Sequence, residues 1–136
     1  MVTAIGPDGP VGATANAVTS LSLEPPLMLA CLDRRSRTLE AIQAVGRFSI
    51  NALAGDQEEL ARRFSTKDPH EEKWAEVEWS EAHGSPRLAG VSLWIACELR
   101  EVNEGGDHLI LTGAVLAAEA DTAVPLVFAE GEYRPL

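Results

Sequence analysis

The sequence predicts a mainly β domain with a few short helices, built as a small barrel or sandwich. Three observations carry this. Apolar residues alternate with more polar ones through Val91–Leu99 and again through His108–Ala117, on either side of the turn Gly105-Gly106-Asp107, which marks a long hairpin. Other short β-prone runs are separated by Gly- and Pro-rich turns. The few helical stretches do not alternate regularly with strands, so there is no βαβ rhythm and no parallel doubly wound sheet. At 136 residues the chain is expected to form a single domain over 1–136.

Element by element, Val2–Ile5 is short and β-prone and runs into the turn Gly6-Pro7-Asp8-Gly9-Pro10. Val11–Val18 reads as a second strand rich in small residues. Pro25-Pro26 breaks the chain before Leu27–Leu32, an apolar run with the length of a strand buried on both faces. Leu39, Ile42 and Val45 then fall at helical spacing, with Ser36 as N-cap and Gly46 just past the end. Phe48, Ile50 and Ala52 alternate with Ser49, Asn51 and Leu53, a strand pattern. Asp56-Gln57-Glu58-Glu59 fits a capping box with Asp56 at the cap. The helix it opens carries Glu58/Arg62 and Glu59/Arg63 at i,i+4, with Leu60 and Phe64 as its apolar face. Lys67–Gly90 reads as an acidic, irregular excursion. In the return strand of the hairpin Ile110, Thr112, Ala114 and Leu116 share one face, and Pro125–Tyr133 adds a last strand.

Acids outnumber bases 21 to 11, a net charge of −10. That argues against a general nucleic-acid or anionic-membrane binder, while leaving room for a local basic pocket. Cys31 and Cys97 stand alone in apolar runs, as expected of two buried free thiols in a reducing cytoplasm. No apolar stretch is long enough to span a bilayer, and the start lacks a signal peptide's basic and apolar regions. The glycines of residues 6–12 have the wrong spacing for a dinucleotide fingerprint, and there is no Walker sequence. No nucleophile motif and no metal-ligand spacing is present. Any enzyme built on this chain would leave the difficult chemistry to a bound cofactor.

Four stretches could carry such a cofactor, each with a plainer alternative. Thr14-Ala15-Asn16-Ala17-Val18-Thr19 and the hydroxyls up to Pro25-Pro26 combine small side chains with donors and acceptors suited to a flat polar ring, or form an edge strand and a Ser/Thr-rich loop. Asp33-Arg34-Arg35-Ser36-Arg37-Thr38 brings three arginines to the first turn of a helix, a setting for a phosphate, or is a solvated junction with surface ion pairs. Arg62-Arg63-Phe64 could cover a planar anion, or Phe64 could anchor the core with both arginines in their helical pairs. His108 follows the Gly106-Asp107 turn and could donate to a ligand, or be simply solvated; His70 and His83 read as surface residues.

In this order and spacing, these stretches resemble the flavin reductase-like family, the FMN-binding split β-barrels. The likeness runs from Val2-Thr3-Ala4 to about Tyr133 and is strongest over 12–63. Thr14 to Pro26 is similar to the family's flavin strand, and Cys31 to Thr38 to its phosphate turn. Phe48 to Leu53 is similar to the strand that follows, Gln57 to Phe64 to its helix, and Gly105 to His108 to its GDH turn.

The resemblance implies a split barrel that binds FMN or FAD and reduces it with NADH or NADPH, in some members for a two-component monooxygenase. It implies a homodimer with the flavin near the subunit interface. Thr14, Asn16, Ala17, Val18 and Thr19 would line the isoalloxazine and ribityl chain. Asp33, Arg34, Ser36 and Thr38 would hold the phosphate end, Asn51, Arg63 and Phe64 would close the site, and His108 would sit on the nicotinamide side. The family's usual N-terminal helix has no counterpart before Met1, and Asn16 stands where a hydroxyl is often found. Two other readings remain open: an FMN-binding electron carrier or flavin store, and a split barrel using another phosphorylated cofactor such as deazaflavin or pyridoxal phosphate.

Overall fold

The computed structural model describes residues 1–136. The chain runs through β1 (Val2–Gly6), β2 (Gly9–Ala13), β3 (Val18–Leu23), β4 (Pro26–Asp33), α1 (Arg37–Val45), β5 (Arg47–Ala52), α2 (Glu58–Phe64), α3 (His70–Trp74), β6 (Trp79–Ala82) and β7 (Ser85–Leu88). The long hairpin β8 (Leu93–Gly105) and β9 (His108–Ala120) follows, then β10 (Leu126–Ala129) and β11 (Glu132–Pro135). Seven strands form one sheet in the order β2-β1-β5-β8-β9-β4-β3, antiparallel throughout. Its edge strands do not pair with each other, so the barrel is split rather than closed. Irregularities between Ala96 and Cys97 and between Leu99 and Glu101 bend β8 along its length.

Pleat and sequence pattern set the core. Ala30 and Leu111 lie opposite each other across β4 and β9 and are fully buried, with Phe48, Ile50 and Cys97 on the neighbouring strands. Helix α1 caps this face through Leu39 and Ile42. Each such side chain contributes roughly 1.5–3 kcal/mol by leaving water. Gly113 is required here, since a Cβ at that position would stand 2.5 Å from the Phe48 ring and 2.8 Å from Cys97. A second cluster gathers Leu53, Ala61, Phe64, Trp74, Leu88 and Trp94 beneath α2, α3 and the β6–β7 hairpin.

The hairpin, the Phe48 strand and the helix between Ser36 and Gly46 form as the pattern dictates. Ser36 accepts a hydrogen bond from the Leu39 N–H at 3.3 Å, and Gly46 takes the left-handed conformation (φ 73°) that ends α1. Six expectations need correction. Val11–Val18 is not one strand: β2 ends at Ala13, and the chain turns away to start β3 at Val18. The Thr14 N–H and hydroxyl are drawn instead to the carbonyls of Phe64 and Ala61, which stops the ladder. Leu27–Leu32 is buried on one face only, because no second layer covers the other. Asp56 is not a cap; α2 starts after Gln57, whose Oε1 accepts from the Ala54 N–H at 2.9 Å. Residues 67–90 are not irregular throughout, since α3 and the β6–β7 hairpin form there and bury Trp74 and Leu88. Pro125–Tyr133 turns back on itself as β10 and β11. Cys97 is buried, but Cys31 is only half-buried on the open face of β4. No helix is long and apolar enough to cross a membrane.

Candidate functional site

Strand pairing brings two of the four stretches together. The last pair of the β4–β9 ladder is Asp33 opposite His108, so the arginine turn and the Gly105–His108 turn meet at one end of the sheet. The contact is then locked. The Arg34 N–H donates to the Asp107 carbonyl at 3.0 Å, its Nε donates to the Gly106 carbonyl at 2.5 Å, and its guanidinium pairs with Glu104. Asp33 accepts from the Arg35 N–H at 2.8 Å, which with the Arg35 guanidinium holds its carboxyl below the usual carboxylate range. Asp107 Oδ1 lies 2.7 Å from His108 Nδ1, and that hydrogen bond holds the Asp107 carboxyl low as well. It also engages one ring nitrogen of a half-exposed imidazole and leaves Nε2 for a ligand.

The small-residue stretch joins the same end of the sheet. The Ala17 carbonyl accepts from the Cys31 N–H at 2.9 Å, two residues before Asp33. Asn16, Ala17 and Thr19 are exposed and Val18 is half-buried. Thr14 is tied to α2 through the Ala61 carbonyl at 2.7 Å. Arg37 links the start of α1 to the chain after α2, donating to the Lys67 and Asp68 carbonyls at 3.3 and 2.8 Å. Ser36 caps the helix, and Thr38 is buried beside it. Small side chains, an amide and hydroxyls at one place, with a capped helix N-terminus and arginines at the other, fit a planar ring with a phosphorylated tail.

Three expected residues stand apart from this surface. Asn51 is fully buried, and its amide is committed to Thr3 Oγ1 at 3.0 Å, Ser49 Oγ at 3.3 Å and the Leu88 N–H at 3.0 Å, so it holds strands together rather than closing a site. Phe64 is 1% exposed and packs edge-on to Trp74 at 5.2 Å, the core-anchor alternative. Arg63 takes its helical partner Glu59 at 2.9 Å and lines a separate cavity of about 330 Å³. His70 is no surface residue: its ring is half-buried, both nitrogens lack a partner, and burial pushes it down to about 4. Sequence reasoning missed Glu104 as the partner of Arg34 and Arg37 as a bridge. Glu104 was recoverable from the hairpin register, which pairs it with Leu109 one step from His108. Arg37 depends on where α2 ends in space and had no local signal. No group of three His, Cys, Asp or Glu side chains is placed to hold a metal ion.

An open split barrel with a hydroxyl-rich strand, a phosphate-ready helix start and a histidine turn at one end defines a cofactor-binding domain. The chain belongs to the flavin reductase-like family, whose domain model matches residues 1–136. It is 39% identical to the reductase subunit of a flavin-dependent monooxygenase from Mycobacterium tuberculosis, over 98% of this chain and 72% of that one. It is 38% identical to a flavin reductase (NADH) from Kitasatospora aureofaciens, over 92% of this chain and 66% of that one. In structure it is similar to an NADH:FAD oxidoreductase of Streptomyces globisporus, with a TM-score of 0.92 and 33% identity, covering 99% of this chain and 82% of that one.

Proposed function

We propose that the chain is an NAD(P)H:flavin oxidoreductase that supplies reduced flavin to a monooxygenase. The observation that carries this is the meeting of the arginine turn with the His108 turn in a chain matched over its whole length by the flavin reductase-like domain. A bound flavin supplies a ring that accepts hydride from reduced nicotinamide, so the protein needs no general base. Its own residues orient and shield. Asn16, Ala17, Val18 and Thr19 offer a low wall with polar edges to the ring. Ser36, Arg37 and the free N–H groups at the start of α1 meet the phosphate end. Arg34, expected at the phosphate, holds the Gly106–His108 turn in place, and Asp107 orients His108 toward the nicotinamide.

A homodimer completes the site in this reading. Leu27, Leu29 and Cys31 of β4 lie opposite Ala114, Thr112 and Ile110 of β9, on the sheet face away from the core. In the single chain this face has no covering layer, and a second copy offers the same face in return. The two free thiols suit a reducing cytoplasm. The test is NADH or NADPH oxidation with FMN or FAD, followed by loss of reduced-nicotinamide absorbance. Turnover is expected with at least one of the four pairs, and none with any pair would overturn the proposal.

A further inference from the structure

The turn that carries His108 contains two glycines. Gly105 and His108 close a two-residue loop, in which Gly106 takes φ 74° with nothing within 4 Å of where a Cβ would stand. Glycine has the widest backbone freedom, so such a loop does not hold a side chain in one place by itself. Strand register shows what can brace it, because directly paired residues share a sheet face. Asp33, His108 and Gly105 form one row across β4, β9 and β8, on the uncovered face that also carries Cys31. Leu32, Leu109 and Glu104 form the next row, on the opposite face, where Leu32 is buried in the core. Glu104 therefore stands behind the His108 turn, at the rim of the core face and away from the surface that offers His108.

Arg34 joins the two rows. Its backbone N–H donates to the Asp107 carbonyl at 3.0 Å, its Nε donates to the Gly106 carbonyl at 2.5 Å, and its guanidinium pairs with Glu104. One planar fork thus ties the loop backbone to the strand that leads into it, a geometry that a lysine ammonium does not reproduce. The pair is largely exposed, 40% for the Arg34 side chain and 77% for that of Glu104, so it adds little to the stability of the fold. Its effect falls on where the loop, and with it His108, is held. We propose that Glu104 is a positioning residue for hydride transfer. Through Arg34 it braces the two-glycine turn from the core side and fixes the His108 imidazole against the nicotinamide, without touching flavin or nicotinamide itself. The role in hydride transfer rests on the reductase reading, whereas the brace rests on strand register and the Arg34 contacts alone.

The test is anaerobic single-turnover bleaching of flavin by saturating reduced nicotinamide in Glu104→Gln, Arg34→Gln and the double variant. Flavin affinity and the urea midpoint are measured alongside. Glu104→Gln keeps the shape of the side chain and removes its charge. It should slow bleaching by about three- to tenfold. Flavin affinity should stay within about twofold and the urea midpoint should not move, whereas a merely structural role would shift the midpoint. Arg34→Gln should be slower still, because the Gly106 carbonyl also loses its donor. The double variant should be no slower than Arg34→Gln, because Glu104 acts only through that guanidinium. Glu130→Gln breaks the exposed pair with Arg134 in the β10–β11 hairpin and should bleach at the parent rate. Amide exchange at Gly106, Asp107 and His108, followed by NMR, should rise in Glu104→Gln. Parental bleaching in Glu104→Gln, rate losses that multiply in the double variant, or a loss of flavin affinity in place of rate would overturn the assignment. A parent protein that bleaches neither FMN nor FAD with either nicotinamide would defeat the reductase reading instead. Unchanged amide exchange in Glu104→Gln would overturn the brace whatever the outcome with flavin.

Discussion

Asn51→Ala separates a residue of the fold from a residue of the site. The parent side chain makes three hydrogen bonds in a region with no solvent: two donated to Thr3 and Ser49, one accepted from the Leu88 N–H. Removing it leaves the Leu88 N–H buried and unpaired, which costs about 1–3 kcal/mol. Thr3 and Ser49 keep their mutual hydrogen bond at 2.7 Å, so the loss of the two donated bonds adds only about 1 kcal/mol. The emptied volume, closed in by Trp94 and Leu88 of the second cluster, adds about 1 kcal/mol more. The expected loss is therefore about 3–5 kcal/mol, a large part of the 5–15 kcal/mol that typically holds a domain together. Urea denaturation of parent and variant, read by tryptophan fluorescence, measures it, and a cycle with Thr3→Val isolates the pair. Flavin affinity of the folded fraction should stay within about twofold, a difference below 0.5 kcal/mol. A destabilisation under 1 kcal/mol together with lost flavin binding would refute the structural assignment and return Asn51 to the site.

Gly113→Ala should lower stability by about 1–3 kcal/mol, because the new methyl group meets the Phe48 ring and Cys97; an unchanged urea midpoint would contradict the packing. Burial pushes the Cys97 thiol up to about 12, so at pH 8 iodoacetamide should label it only on unfolding; rapid labelling of the native chain would argue against its placement. His70 is shifted from 6.5 down to about 4, so its neutral form favours the fold. That contribution is complete above pH 6.5 and fades as pH falls toward 4, and His70→Leu should show a shallower loss of urea midpoint over that window than the parent. Identical slopes would remove His70 from the explanation.

Much of the fold was legible because local signals and long-range pairing agreed. The Ser36 and Gly46 signals bound α1 where cap chemistry puts them, and the β8–β9 hairpin follows from its alternation and turn. Local pattern misled where tertiary contacts took over. Thr14 ends β2 because α2 offers it carbonyls, and nothing in residues 11–18 announces that. Asp56 has the chemistry of a cap, but Gln57 takes up the turn by bonding back to Ala54. The site divided in the same way. Asp33, Arg34 and His108 are marked by composition and drawn together by register. Asn51 and Phe64 could be assigned to core or ligand only once their neighbours were known, and the core claims both. His70 looked like surface because its neighbours in sequence are acidic, while in space it lines a cavity together with α1 and the β1–β2 turn.

In the proposed site the His108 turn, held by Arg34 and Asp107, serves hydride transfer to a flavin seated between residues 14–19 and 33–38. Anaerobic stopped-flow mixing of the protein and flavin with NADH tests it most directly. Bleaching of the flavin is expected, slowed in His108→Ala by about tenfold or more with flavin affinity retained. No bleaching in the parent protein, or a His108→Ala variant that bleaches normally and instead fails to bind flavin, would contradict it.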